Sequence, residues 1–196
     1  MTINDKYTLE QIDKLGNALI YLIDKMGFLP KTSLLKLVYI LEEKSIARRG
    51  MPFFNLDFEV WKFGPVCQNL YVEFSEEPFL LKDFIKRKCI KNGFTFDKNA
   101  NFNDDEFSDS DIDLMDNVIN EFSGSNCKEL VDYTHRENSL WYNTAKENGV
   151  LEMLLNEEMP TTNFKINFED LIKDEPSKLE FYHEHKEFLN FVASLK

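Results

Sequence analysis

Three histidines, His135, His183 and His185, are the side chains of this sequence best suited to acid–base chemistry or zinc binding. His183 and His185 stand two residues apart, so on a helix they point in different directions and cannot bind one ion. His135 could act as a general base with Glu137, but no serine or cysteine stands in the context of a nucleophile. We therefore favour a structural role, in which His135 fixes a corner between two helices by hydrogen bonds.

Alternating carboxylates at Asp109, Asp111 and Asp113 are similar to the start of a calcium-binding loop. The pattern fails further along, because Leu114 stands where glycine is required and Asn120 where a glutamate should close the loop. Carboxylates at the positive end of a helix dipole explain the alternation better. The 7 glycines form no phosphate-binding loop. We expect no metal, no other cofactor and no enzymatic activity.

The net charge of −12 at pH 7, on 196 residues, limits the kinds of partner that the chain can bind. Such a field repels nucleic-acid phosphates and anionic lipid, and it favours basic protein partners. One local reversal of sign occurs around a predicted hairpin and the residues before it, and its basic residues are Lys82, Lys86, Arg87, Lys88 and Lys91. A basic edge strand protected from aggregation is the preferred interpretation. The alternative is a winged-helix-like transcriptional regulator that binds nucleic acid through this edge, which the overall charge disfavours.

The cellular compartment is indicated by the cysteines and the apolar runs. Cys67, Cys89 and Cys127 lie far apart and are odd in number, which is typical of reduced thiols in the cytoplasm. The longest apolar run, Ala18–Ile23, is too short to span a bilayer, and the first residues have no targeting pattern. We expect a cytoplasmic protein that does not enter membranes.

Two long helices are predicted in the first quarter of the chain. Thr8 and Gln11 form the pattern of a capping box, and apolar residues recur at helical spacing until Gly27. A second helix is predicted over residues 32–48, closed by Gly50. Its apolar residues surround most of the circumference, which indicates burial from several sides. We expect this helix to form the centre of the core.

The stretch FEVWKFGPV at residues 58–66 predicts a short strand that changes into a helix. Aromatic and β-branched residues favour a strand over residues 58–63. Proline is tolerated in the first turn of a helix, so Gly64-Pro65 predicts a helix start. We expect Trp61 and Phe63 to pack inside the protein. The apolar residues predicted on one face of the following helix are Val66, Leu70 and Phe74.

The rest of the chain predicts one hairpin and several helices. Asn92-Gly93 favours a tight hairpin between residues 83–89 and 94–97, which gives a small sheet of about three strands. An acidic loop leads into a helix over residues 109–122. Further helices are predicted over residues 125–134 and 139–146, each beginning at a serine suited to capping, over residues 168–173, and from Pro176 onward. The residues predicted to share one face of this last helix are Phe181, His185, Phe188, Val192 and Leu195. The predicted fold class is α+β: a mainly α-helical single domain, residues 1–196, with a small antiparallel sheet.

Ten residues form a pattern spread over residues 32–74 and 112–146. They are Lys36, Tyr39, Gly50, Pro52, Trp61, Gly64, Pro65, Tyr71, His135 and Trp141. This pattern resembles the Panacea domain, a family that includes phage-associated proteins and SocA-type antitoxins. Phe63 stands where the family usually has tyrosine, and Leu140 stands where proline commonly precedes the tryptophan. The resemblance does not cover the C-terminal helical extension of about residues 160–196.

The resemblance implies an antitoxin that binds and neutralises a cognate toxin protein, which is often encoded by an adjacent gene. In SocA-type members it also implies delivery of the toxin to a AAA+ protease by the antitoxin acting as an adaptor. It implies no catalytic residue. We expect the acidic surface to cover a basic region of the toxin. The candidate partner contacts are the exposed members of Phe53, Phe54 and Trp61, together with Asp104, Asp105, Glu106 and Asp109.

Overall fold

The structure is a computed structural model that describes residues 7–194. This part of the chain divides into two compact units. The first unit comprises residues up to Leu35 together with Asn69–Ser125, and the second comprises Lys36–Gln68 together with the residues from Asn126 onward. The count of one domain over residues 1–196 stays a prediction. No helix in the described ranges is both long enough and apolar enough to cross a bilayer.

Helices dominate both units, and each unit has a small antiparallel sheet, which confirms the α+β class. The expectation of about three strands in one sheet is wrong, because the strands form two separate pairs, β1–β2 and β3–β4. In chain order the elements are α1 (Leu9–Met26), α2 (Lys31–Arg49), β1 (Glu59–Trp61), β2 (Gly64–Val66), α3 (Gln68–Glu73), β3 (Ile85–Ile90), β4 (Gly93–Lys98), α4 (Asp109–Phe122), α5 (Cys127–His135), α6 (Leu140–Glu147), α7 (Leu151–Leu155), a 3-10 helix (Phe168–Leu171) and α8 (Pro176–Ser194).

The predicted start and end of α1 are confirmed. The Thr8 hydroxyl accepts a hydrogen bond from the Gln11 N–H, and the Gln11 side chain accepts one from the Thr8 N–H. Gly27 ends the helix at a φ of 83°, a conformation that a side chain would strain. The central position of α2 is confirmed as well, since every residue from Ser33 to Glu43 is buried.

A tight hairpin is confirmed in the predicted region, but the turn predicted at Asn92-Gly93 is wrong by one residue. Ile90 pairs with Gly93, so the turn consists of Lys91 and Asn92. On the side of β4 that faces away from β3, Leu29 and Phe96 exchange two backbone hydrogen bonds. Phe96 is fully buried and packs against Phe74 at a ring-centroid distance of 5.2 Å.

The helix start predicted at Gly64-Pro65 is wrong. Gly64 and Pro65 belong to β2, which pairs with β1 across a turn of two residues, and α3 begins only at Gln68. Phe63 lies in that turn and is 59% exposed, so the expectation that it packs inside is also wrong. A turn of two residues places its side chains in solvent, and the Phe63 ring contacts the Lys62 ammonium group there at 4.5 Å.

The C-terminal part of the chain supplies structure that the sequence analysis did not predict. On the side of β1 that faces away from β2, the Val60 N–H donates to the Phe164 carbonyl, and the Ile166 N–H donates to the carbonyl of Phe58, just before the strand. Helix α7 was not predicted, and α5 is capped by Asn126 instead of Ser125. Helix α8 begins at Pro176 as expected, but Phe181 and Phe188 on its predicted apolar face are exposed, whereas Tyr182 is buried. Leu195, predicted on the same face, lies outside the described residues.

Candidate functional site

Family-pattern residues of the second unit converge on the β1–β2 hairpin. The Lys36 ammonium group donates a hydrogen bond of 2.7 Å to the carbonyl oxygen of Pro65. Gly64, at a φ of 94°, lies directly beneath the Thr134 side chain. A Cβ atom on Gly64 would stand 2.5 Å from Thr134 Oγ1 and 3.1 Å from Lys36 Nζ. The close approach therefore requires glycine at this position.

The hydrogen-bond pattern of the hairpin explains why proline is tolerated in β2. The N–H of Val60 donates to the Phe164 carbonyl, and the Val60 carbonyl accepts from the Thr162 hydroxyl, so both backbone groups point away from β2. Its partner Pro65 must then point its own backbone groups away from β1, because the two members of an antiparallel pair share this orientation. The strand pairing therefore needs no N–H from Pro65, and its carbonyl is free to bind Lys36.

Lys36 is a fully buried cationic residue within the core. Burial lowers the pKa of its ammonium group from 10.5 to about 7. Its side chain is 1% exposed and its hydrogen bond goes to a neutral carbonyl, which compensates little of the cost of desolvating a charge. The arrangement supports a lysine that is partly neutral at physiological pH.

His135 and Trp141 stack face to face at the end of α5. Their ring centroids are 3.8 Å apart with 16° between the planes, and Trp141 Nε1 donates to the Trp61 carbonyl. Among the described residues, His135 Nε2 is buried and has no hydrogen-bond partner. The expectation that His135 fixes the corner by hydrogen bonds is therefore wrong at this nitrogen, and its ring instead packs on Trp141. Burial, followed by the charge of Lys36, lowers the pKa of His135 to about 4.

Two neighbouring glutamates of α2, Glu42 and Glu43, are buried functional groups that the sequence analysis missed. The Glu43 carboxylate accepts hydrogen bonds from the Tyr39 hydroxyl at 2.9 Å and from the Arg136 guanidinium at 3.1 Å. Glu42 accepts from three backbone N–H groups of the segment after α2. Burial raises the pKa of Glu42 to about 7. Two acidic residues that directly follow the apolar run over residues 37–41 were the signal that could have revealed them.

The aromatic candidates for partner contact differ in their exposure to solvent. Phe53 and Phe54 are 2% and 6% exposed, so they are not available as exposed contacts. Their N–H groups are bound by Glu42, which draws the segment into the core. Trp61 is half-buried, and its indole N–H donates to Glu59 and to the carbonyl of Thr162.

The other residues of the family pattern occur at positions where the local structure explains the residue type. Gly50 has a φ of 67°, and a Cβ atom there would stand 2.6 Å from the Lys178 carbonyl oxygen. Pro52 is buried beside it. Tyr71 lies in the first unit, is 37% exposed, and its ring contacts the Lys31 ammonium group at 3.4 Å. These positions are explained by packing, close approach and ring contact.

The acidic candidates lie in the first unit, with Asp104, Asp105 and Glu106 on the loop before α4 and Asp109 at the first residue of α4. Asp104, Asp105 and Asp109 are exposed, and Glu106 is half-buried. The loop is anchored to α1, because the N–H of Asn103 donates to the Asn17 side chain at 2.9 Å. Its aromatic residues face inward: the ring of Phe102 contacts Tyr21 and Phe107. The carboxylates are therefore displayed on an ordered support.

A cleft of about 340 Å³ lies between this loop and α1. Four of its lining residues are acidic, and none is basic. They are Asp13, Asp83, Asp105 and Glu106. In residues 7–194, no group of three or more histidine, cysteine, aspartate or glutamate side chains is arranged to hold a metal ion. The sign and the concave shape of the cleft suit a lysine or arginine side chain of another protein.

The basic residues of the alternative hypothesis lie on and beside β3, also in the first unit. Lys86, Lys88 and Lys91 are exposed, whereas Arg87 is half-buried with its guanidinium 3.6 Å from the Phe94 ring. The element order helix, helix, strand pair, helix, hairpin is close to the one expected for a winged helix.

The fold is a mainly helical α+β fold, with a buried polar centre around Lys36 in one unit and exposed charged side chains in the other. The family model for the antitoxin SocA-like Panacea domain matches residues 34–142, which is more than half of the chain. The chain belongs to this family. Comparison with curated protein sequences and with solved structures gave no match.

Proposed function

We propose that this protein neutralises a cognate toxin by binding it directly, and that the acidic cleft beside α1 is a principal contact. The observation that carries the proposal is the match to the antitoxin SocA-like family over residues 34–142. The net charge of −12 supports a basic partner surface, because opposite charges speed association and fix orientation.

The order of the acidic loop supports the choice of this cleft. A loop that already has its bound conformation loses little entropy when a partner binds. The hydrogen bond from Asn103 to Asn17 and the inward-facing rings of Phe102 and Phe107 provide that order. Asp105 also accepts a hydrogen bond from the Asn103 side chain, which leaves its other oxygen to face a cationic group.

Co-expression with the product of the adjacent gene tests the role, and isosteric variants test the contact. Asp13→Asn with Asp105→Asn removes two charges from the cleft with little change in shape. Glu152→Gln with Glu158→Gln is the matched control, since both residues are exposed and belong to the second unit. We expect the cleft variant to bind the toxin about tenfold more weakly, with a smaller dependence on salt, and the control to bind normally. Equal affinities of the two variants would rule out the cleft while leaving the antitoxin role open.

The proposed role is non-enzymatic and is exercised in the cytoplasm. The polar groups that could serve catalysis support this, since Lys36 is buried against a carbonyl and His135 is stacked on a tryptophan ring. We also propose a second step, in which this protein delivers the toxin to a AAA+ protease, as the resemblance to SocA-type members implies. The half-life of the toxin in cells with and without this protein tests it: a shorter half-life in its presence supports delivery, and an unchanged one supports neutralisation by binding alone.

A further inference from the structure

Strand β3 has an edge whose backbone groups point outward. On β4, Phe96 exchanges hydrogen bonds of 2.8 and 3.3 Å with Leu29, so its N–H and C=O point away from β3. The register pairs Phe96 with Arg87. The two members of such a pair point their backbone N–H and C=O groups away from each other. Those of Arg87 therefore point away from β4, and so do those of Cys89, two residues further along the strand. Within residues 7–194, no strand is paired with this edge.

The side chains along the edge are basic, with an apolar residue at the end. Lys86, Lys88 and Ile90 lie on one face of the strand, and all three are exposed. An ion pair on this face, Lys88 to Asp97, spans 3.9 Å, so it neutralises the charge weakly. On a chain with a net charge of −12, this edge is a local site for acidic groups.

The edge favours a peptide over the other possible occupants. A second copy of β3 would bring like charges face to face, which is destabilising. Nucleic-acid phosphates could accept from the outward N–H groups, but they offer no donor to the outward carbonyls. An extended peptide satisfies both kinds of group, and acidic side chains on alternate residues would face Lys86 and Lys88.

We propose that the outer edge of β3 binds an extended acidic segment of a partner protein, which adds to the β3–β4 sheet as a third strand. Main-chain hydrogen bonds to Arg87 and Cys89 supply affinity, and the lysines select for alternating acidic residues. The site is separate from the acidic cleft and takes the opposite charge. It therefore holds whether or not the partner is the toxin.

Amide hydrogen exchange of the full chain, followed by NMR, tests the proposal with a defined probe. The probe is a short synthetic peptide in which glutamate alternates with valine and threonine. The N–H groups of Arg87 and Cys89 point outward and should exchange fast in the free protein, then slow by about tenfold or more on binding. Those of Lys86 and Lys88 already lie in the β3–β4 pairing, so their exchange should change little. A peptide of the same charge with proline in place of the central valine should not bind, because it lacks the main-chain donor.

Two variants complete the test. Lys86→Glu with Lys88→Glu should weaken binding of the probe by about tenfold or more. Cys89→Pro removes one outward N–H and should abolish binding, whereas Cys89→Ala keeps that N–H and should bind normally. The proposal is overturned if the probe does not bind at low salt, or if the proline peptide binds equally well. It is also overturned if a DNA duplex binds this edge in preference to the probe, without protecting the amides of Arg87 and Cys89.

Discussion

Replacing Gly64 by alanine should destabilise the second unit more than an ordinary glycine substitution. Two costs add at this position. A side chain at a φ of 94° costs about 1–2 kcal/mol. The new Cβ would also stand 2.5 Å from Thr134 Oγ1, and relieving such an overlap in a packed core costs about 1–3 kcal/mol. We therefore expect a loss of about 2–5 kcal/mol, a large part of the stability of a typical domain.

Gly149→Ala is the matched control, because Gly149 lies in the same unit at a φ of 70° and no atom lies within 4 Å of its added Cβ. This variant should lose only the conformational part, about 1–2 kcal/mol. Urea unfolding at pH 7, followed by tryptophan fluorescence, measures both, since Trp61 and Trp141 belong to this unit. The double variant Gly64→Ala with Thr134→Ala should recover part of the loss, because the overlapping oxygen is gone. Equal losses for the two glycine variants, or no recovery in the double variant, would refute the proposed close approach.

Three further predictions concern the buried polar groups, and urea unfolding measures each of them. Lys36→Met should raise the unfolding free energy at pH 7 by about 1–3 kcal/mol, because it removes a desolvated amine at the expense of one hydrogen bond. Since the pKa of Lys36 in the folded protein, about 7, lies below its unfolded value, the wild type gains stability between pH 7 and 10.5 and the advantage of the variant should shrink there. An advantage of the variant that grows with pH would contradict this. The pKa of His135 in the folded protein, about 4, also lies below its unfolded value, so the unfolding free energy of the wild type should fall by about 1 kcal/mol from pH 7 to 5, after discounting for partial exposure. His135→Phe should reduce that fall while keeping the stack on Trp141. Glu42→Ala should cost about 2–4 kcal/mol by leaving three buried N–H groups without their acceptor, and a cost below about 1 kcal/mol would show that water replaces the carboxylate.

Local signals along the chain predicted the helices well. The capping box at Thr8 and the serine cap of α6 at Ser139 involve residues within three positions of each other, so the sequence contains the whole interaction. The continuous burial of α2 followed from apolar residues all round its circumference. The hairpin was likewise located by Asn92-Gly93, although of these two residues only Gly93 has a positive φ, of 130°, and the turn itself consists of Lys91 and Asn92.

The candidate site depended on contacts between distant residues, and there the sequence was insufficient. Proline suits both a helix start and a strand position whose N–H is not needed, and only the pairing of Val60 with residues beyond 160 decides between them for Pro65. The burial of Phe53 and Phe54 has the same origin, since it follows from a carboxylate eleven and twelve residues away. No local pattern encodes such contacts.

The most direct test of the antitoxin role combines growth with complex formation. The product of the adjacent gene is expressed from an inducible promoter, alone and together with this protein, and the two chains are then purified together. The proposed function predicts arrested growth with the neighbour alone, normal growth with both, and a stable complex of the two proteins. A neighbour that is harmless alone and forms no complex with this chain would contradict it.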